Sequence, residues 1–128
     1  MRHLGAVFGV GPALALLGCK SGKGGAEAPQ VSVEAQRIAS EIVANRCAPC
    51  HGNLGKGDGP ASATLNPKPR NWTDAAWQKA TPNEEIEKVI VYGGAAVGKS
   101  AAMPANPDLQ AKPEVVTALR TRVRGYSH

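Results

Sequence analysis

The sequence predicts a small all-α domain of roughly three to five short helices that cannot fill its own centre. Three observations predict it. Apolar residues recur at helical spacing in separated stretches near 31–46, 84–92 and 113–124, and no βαβ pattern lies between them. The composition is poor in core-building side chains: aromatics make 4% of the chain and its one Phe, Phe8, lies in the leading segment, against 15 Gly and 10 Pro. The third observation is Cys47-Ala48-Pro49-Cys50-His51. Cys-x-x-Cys-His is the attachment sequence of c-type haem, and one covalently attached haem gives the helices an apolar centre to wrap around.

Each part of the motif has a chemical reason. Two thiols on one turn add across the two vinyl groups of a haem as thioethers. The adjacent His51 then offers a ring nitrogen to the iron. The competing chemistries lack partners. A structural zinc site wants four Cys or His ligands, and Cys47, Cys50 and His51 have only the terminal His128 to join them. A redox dithiol belongs beside a βαβ unit.

In chain order, Met1-Arg2-His3 is a short positive start, followed by an apolar run over residues 4–17. This is the shape of a secretory signal peptide, too short to span a bilayer comfortably. It ends Leu16-Leu17-Gly18-Cys19, which resembles the bacterial lipobox. That resemblance implies removal of residues 1–18 and lipidation of Cys19, the third cysteine, otherwise unexplained. Ordinary cleavage after Ala13-Leu14-Ala15, or an uncleaved anchor, are the alternatives. Residues 19–30 read as a flexible tether with a reach of about 15–20 Å. They would hold a domain of residues 31–126 beside the periplasmic side of a membrane. Export and haem attachment support each other, because c-type haem is attached outside the cytoplasm.

The formal charge is +5, and loss of Arg2 with the leader leaves 14 basic against 10 acidic residues. With no charge run and no aromatic interleaving, this does not suggest a nucleic-acid partner.

Residues 31–46 read as the first helix, with Val31, Ala35, Ile38 and Ile42 on one face. Ser32 is its cap and Glu34 suits its first turn. After His51, four glycines between Gly52 and Gly59 forbid a regular element and let backbone lie close against a flat ligand. Residues 61–65 have room for one helical turn. Asn66-Pro67-Lys68-Pro69-Arg70-Asn71-Trp72 is stiff and extended, because each proline restricts its predecessor.

The run Cys-Ala-Pro-Cys-His-Gly-Asn-Leu-Gly-Lys-Gly-Asp-Gly-Pro-Ala, followed by residues 65–72, resembles bacterial mono-haem class I cytochromes c, in particular those like the cytochrome domains of respiratory-complex subunits. The likeness covers residues 38–124 and implies the class I fold. It also implies that the Pro-rich stretch lines one haem edge, that Trp72 packs on the porphyrin and that Arg70 is a propionate partner. Without the resemblance, Trp72 reads as a core aromatic and Arg70 as a solvated surface residue.

A short helix is expected over 73–79. Thr81-Pro82-Asn83-Glu84 then reads as a capping box with Pro at the first helical position, and Ile86, Val89 and Ile90 as the buried stripe of the helix it starts. Gly93-Gly94 stops that helix. Residues 93–100 match the phosphate-loop pattern G-x-x-x-x-G-K-S letter for letter. A phosphate loop needs a helix starting at Lys99-Ser100, and Pro104 and Pro107 forbid one, so no nucleotide partner is expected.

The same stretch leads to Met103-Pro104. Met103 is the one methionine outside the leader, and elimination makes it the sixth iron ligand; an open iron, or one capped by His128, is the alternative. The resembled family presents its axial methionine as Met-Pro as well. Residues 113–124 read as the last helix, with Val115, Val116, Leu119 and Val123 on one face. In the family it crosses the first helix. Arg120, Arg122 and Arg124 suit its negative C-terminal end.

Two axial ligands leave iron no position for substrate, so the expected function is one-electron transfer, not catalysis. The expected partners are redox proteins or respiratory-complex subunits. Lys56, Lys68, Lys79 and Lys99 could steer an acidic partner or be scattered surface charge. A haem-based ligand sensor, an electron-transfer subunit of a larger complex and a peroxidase are the rival readings, and the single Cys-x-x-Cys-His argues against the last.

Overall fold

The computed structural model describes Met1 and residues 30–127. The rest of the leader, the lipidation site Cys19, all of the tether but its last residue, and His128 lie outside the described residues.

Five α-helices and three short 3-10 turns make the domain, with no strand among the described residues. Helix α1 is Val33–Ile42; the Ser32 hydroxyl caps it by accepting from the Ala35 N–H. The chain then widens into one π-helical turn, Val43–Cys47, before α2, Ala48–His51. The helix expected over 31–46 is therefore interrupted. Such a widening re-aims side chains within a continuous helical path, and here it falls where Cys47 enters the attachment motif.

Helix α3 is Ala75–Ala80, capped by Asp74, whose carboxylate accepts from Ala76 and Trp77 N–H groups. Helix α4 is Asn83–Tyr92, closed by Gly93 at φ 78°. The expected capping box at its start does not form. Pro82 occupies the cap position with no side-chain hydrogen bond. Thr81 instead gives its carbonyl, and Asn83 its Oδ1, to the Arg124 guanidinium. The helix starts at Asn83, so Thr81 lies one residue before the cap position. Helix α5, Pro113–Arg124, has the limits expected from its periodicity.

The core forms where α1 crosses α5. Ala35, Ala39 and Ile42 meet Val115, Val116, Ala118 and Leu119, with Val91 of α4 and Leu109 completing the layer. Small residues at 35 and 39 let the two helices approach closely. The starts of both helices are joined directly, as Ser32 N–H donates to Glu114 Oε1 at 2.6 Å. On α4, Ile86 and Val91 are buried, whereas Val89 and Ile90 are half-buried. The expected stripe of Ile86, Val89 and Ile90 lines a cavity, while Val91, outside that stripe, joins the α1–α5 core, against which Ile90 also packs.

Arg120 and Arg124 do more than suit a helix end. Arg120 pairs with Glu87 of α4 at 2.9 Å. Arg124 ties α5 to the α3–α4 corner through Gln78, Thr81 and Asn83.

Candidate functional site

A cavity of about 390 Å³ opens beside the core. Four stretches supply most of its wall, the π-turn and α2, the Pro-rich segment 65–72, helix α4, and the loop 94–106, and Trp77 of α3 with Leu119 and Val123 of α5 complete it. Cys47, Cys50, His51, Arg70, Trp72 and Met103, six of the seven residues singled out in the sequence, all border this one space. The seventh is Cys19.

The attachment side is built by α2. Gly52, at φ 79°, ends that helix immediately after His51. The Cys47 and Cys50 thiols are half-buried and unbridged. Burial pushes the Cys47 thiol up to about 11, so it is protonated at neutral pH. A redox dithiol needs the opposite, a thiol acidified toward the thiolate.

His51 is 6% exposed. Its Nδ1 lies 3.0 Å from the carbonyl oxygen of Arg70. A carbonyl can only accept, so Nδ1 carries the proton and donates, and Nε2 is left with its lone pair. That is the tautomer a metal-ligating imidazole requires. Burial lowers the His51 pKa, opposed by the hydrogen bond to Arg70, so the ring is held neutral. The imidazole also stacks on Trp72, centroids 4.2 Å apart and planes 18° apart. Trp72 in turn leans on Tyr126 at 5.3 Å.

The Pro-rich segment places these partners. Trp72 N–H donates to Gly55 O at 2.7 Å, and its carbonyl accepts from Gln78 Nε2. Trp72 is buried and shares its faces between His51, Tyr126 and the cavity. Arg70 contributes more through its backbone than through its side chain. The guanidinium is half-exposed, 3.7 Å from Asp74 and over the Trp77 ring at 5.9 Å.

The glycine loop departs from expectation. Its glycines face protein, not the cavity. At Gly57, φ 77°, an added Cβ would lie 2.3 Å from Pro69 O, and at Gly55 one would strike Trp72 and Tyr126. No residue of 52–59 borders the cavity. The loop wraps behind His51 and clamps the Pro-rich segment against it, with Gly57 N–H donating to His51 O at 2.7 Å.

Across the cavity, Met103 is half-buried. Its carbonyl accepts from Gly94 N–H at 3.0 Å. Three residues on, Asn106 is held to the end of α4 by its N–H to Val91 O and its Nδ2 to Ile90 O. The phosphate-loop lookalike is part of this structure. Gly98 is left-handed, Lys99 pairs with Glu85 at 2.8 Å, and no α-helix begins between the end of α4 and Pro113.

Two features have no clear signature in the sequence. One is the Arg70 carbonyl, for which the two prolines that fix the segment are the only local hint. The other is Arg46, whose partners Asn106 and Asp108 lie some sixty residues away, so no local pattern reveals them.

The donor set fits haem. Two thiols share one edge, a buried imidazole has a free Nε2, a thioether sulfur borders the same space, and aliphatic and aromatic side chains line what lies between. No curated protein matches the chain. A sequence model of the cytochrome c family matches residues 36–119, a span that contains the attachment motif, the Pro-rich segment, Met103 and most of α5. The chain belongs to the cytochrome c family, its cofactor is a covalently attached haem c, and it is an electron-transfer haem protein.

Proposed function

We propose that the protein is a one-electron carrier, held at the periplasmic side of a bacterial membrane by a lipid on Cys19, with His51 and Met103 as axial ligands. The observation that carries the ligand assignment is the locked imidazole: Nδ1 is committed to Arg70 O, Nε2 is free, and Met103 borders the same cavity.

Haem c supplies a one-electron ferric–ferrous couple whose potential is set by its axial ligands. The chain does the rest. Cys47 and Cys50 would each hold the haem through one carbon–sulfur bond, the S–H adding across a vinyl group. His51 would bind the iron through Nε2, and its Nδ1–H bond to Arg70 O fixes the ring plane. Met103 would offer a soft sulfur, which would favour the ferrous state and raise the potential. Trp72 buttresses His51 and keeps water from that face. Held by covalent bonds on one side and a packed loop on the other, the ligands need little rearrangement as charge changes.

The partners proposed are redox proteins or respiratory-complex subunits. Of the four lysines considered for steering, Lys68 is tied to the Ser62 and Ala63 carbonyls and Lys99 to Glu85. Lys56 and Lys79 are therefore the better candidates for an acidic partner.

The test replaces Met103 by Ala in protein purified from membranes. Loss of the absorption due to sulfur ligation, a lower reduction midpoint and faster carbon monoxide uptake support the carrier. An unchanged spectrum and midpoint refute the ligand assignment, and ready carbon monoxide binding by the parent favours a ligand sensor. Mass measurement of the mature N-terminus in the same preparation tests the anchor, which fails if Cys19 is unmodified.

A further inference from the structure

We infer that Arg46 is a positioning residue for the Met103 ligand: it braces the attachment segment against the loop that presents the sulfur. This rests on the axial role proposed for Met103.

Arg46 is the last residue before Cys47, at the end of the π-turn. Its Nη1 reaches Asp108 Oδ1 at 2.9 Å and Oδ2 at 3.1 Å, and Asn106 Oδ1 at 3.3 Å. Asn106 is the residue that pins the exit of the Met103 loop to the end of α4. Arg46 therefore holds the anchor of the distal loop from the proximal side. Arg46, Cys47, Met103 and Asn106 all border the cavity, so the brace closes the gap between the two halves of the ligand set at its rim.

The exposure of this pair separates positioning from plain stability. The Arg46 and Asp108 side chains are 47% and 43% exposed. Ion pairs so open to solvent contribute little to global folding, and salt screens them. Their local effect is different. A loop held at both ends keeps its sulfur near the iron, and loosening one end, where Asn106 keeps its bonds to α4, lets the ligand leave more often without unfolding anything else. The π-turn ends on Arg46 and Cys47: Arg46 reaches Asn106 and Asp108 while Cys47 borders the cavity.

The experiment compares the holoprotein with R46Q, R46K, D108N and the R46Q/D108N double variant, with M103A as reference. Two quantities are read: carbon monoxide uptake by the reduced protein and the sulfur-ligation absorption of the oxidised protein as salt is raised. R46Q and D108N should take up carbon monoxide about two- to fivefold faster, the factor that a lost exposed pair represents. R46K should stay near the parent. The double variant should match R46Q, because D108N removes an interaction that R46Q has already removed. Added salt should speed uptake in the parent and leave R46Q unchanged. If R46Q fails to take up haem, D108N carries the test, since it leaves the attachment segment untouched. Parent-like uptake in both R46Q and D108N, or additive effects in the double variant, overturns the brace. An M103A protein indistinguishable from the parent instead overturns the ligand reading beneath it.

Discussion

At the scale of single residues, the site depends on where backbone atoms are forced to lie. The Arg70 carbonyl must reach His51 Nδ1, and Gly57 fixes the neighbouring peptide from behind by packing against Pro69 O. G57A would add a methyl group 2.3 Å from that oxygen, at a φ of 77° that L-residues resist. It should destabilise the holoprotein by about 1–3 kcal/mol in urea titration. The His51 ring resonances should shift with it. A variant as stable as the parent would show that the loop yields without disturbing the segment it clamps. Much at this scale is legible in the sequence. Cys47, Cys50 and His51 are contiguous, so their chemistry needs no fold to be recognised, and Met103 stands out because no other methionine lies beyond the leader. The glycines mislead for a physical reason. Freedom of φ announces a close approach but does not name what is approached, and here it is protein, not ligand.

Helices and turns are legible to the degree that local signals set them. The periodicity of α5 gives both its ends, and Ser32 caps α1 as expected. The capping box fails because α4 begins at Asn83 with Pro82 in the cap position, which leaves Thr81 one residue too early for its hydroxyl to cap. The π-turn has no local signal; it falls where Arg46 and Cys47 border the cavity. One tie at this scale can be titrated. Glu114 accepts from the Ser32 N–H, and this holds its carboxyl below the ordinary value of 4.5. A carboxyl with a depressed folded-state pKa stabilises the fold above its unfolded value and loses that contribution as pH falls through the lower, folded one. The parent should therefore lose some thermal stability below about pH 4.5 that E114Q has already lost at neutral pH. E114Q should melt slightly lower at pH 7, and the difference should vanish in acid. A constant gap across the range would show that Glu114 acts by packing alone.

For the molecule as a whole, the cavity outweighs any single contact. Its walls are largely aliphatic and aromatic, so leaving it empty exposes apolar surface at the centre of the domain to water. The α1–α5 core is small beside it. A C47S/C50S protein purified without haem should therefore keep part of its helical circular dichroism, lose the near-ultraviolet signal and melt without a sharp transition. A cooperative, native-like melt would mean that the walls close on themselves. The meagre aromatic content already implies this dependence. Which segments form the walls is less accessible from sequence, because α4 divides its residues between the core and the cavity within one turn.

The bond from His51 to Arg70 has a consequence for how the protein can vary. Its acceptor is a peptide oxygen, which every amino acid supplies. Exchanging the side chain at position 70 leaves the imidazole's outlook intact, so a library of variants there would look permissive although the position's main chain orients the proposed ligand. Changes that bend the main chain, at Pro69 or Gly57, are where such a survey would register the loss.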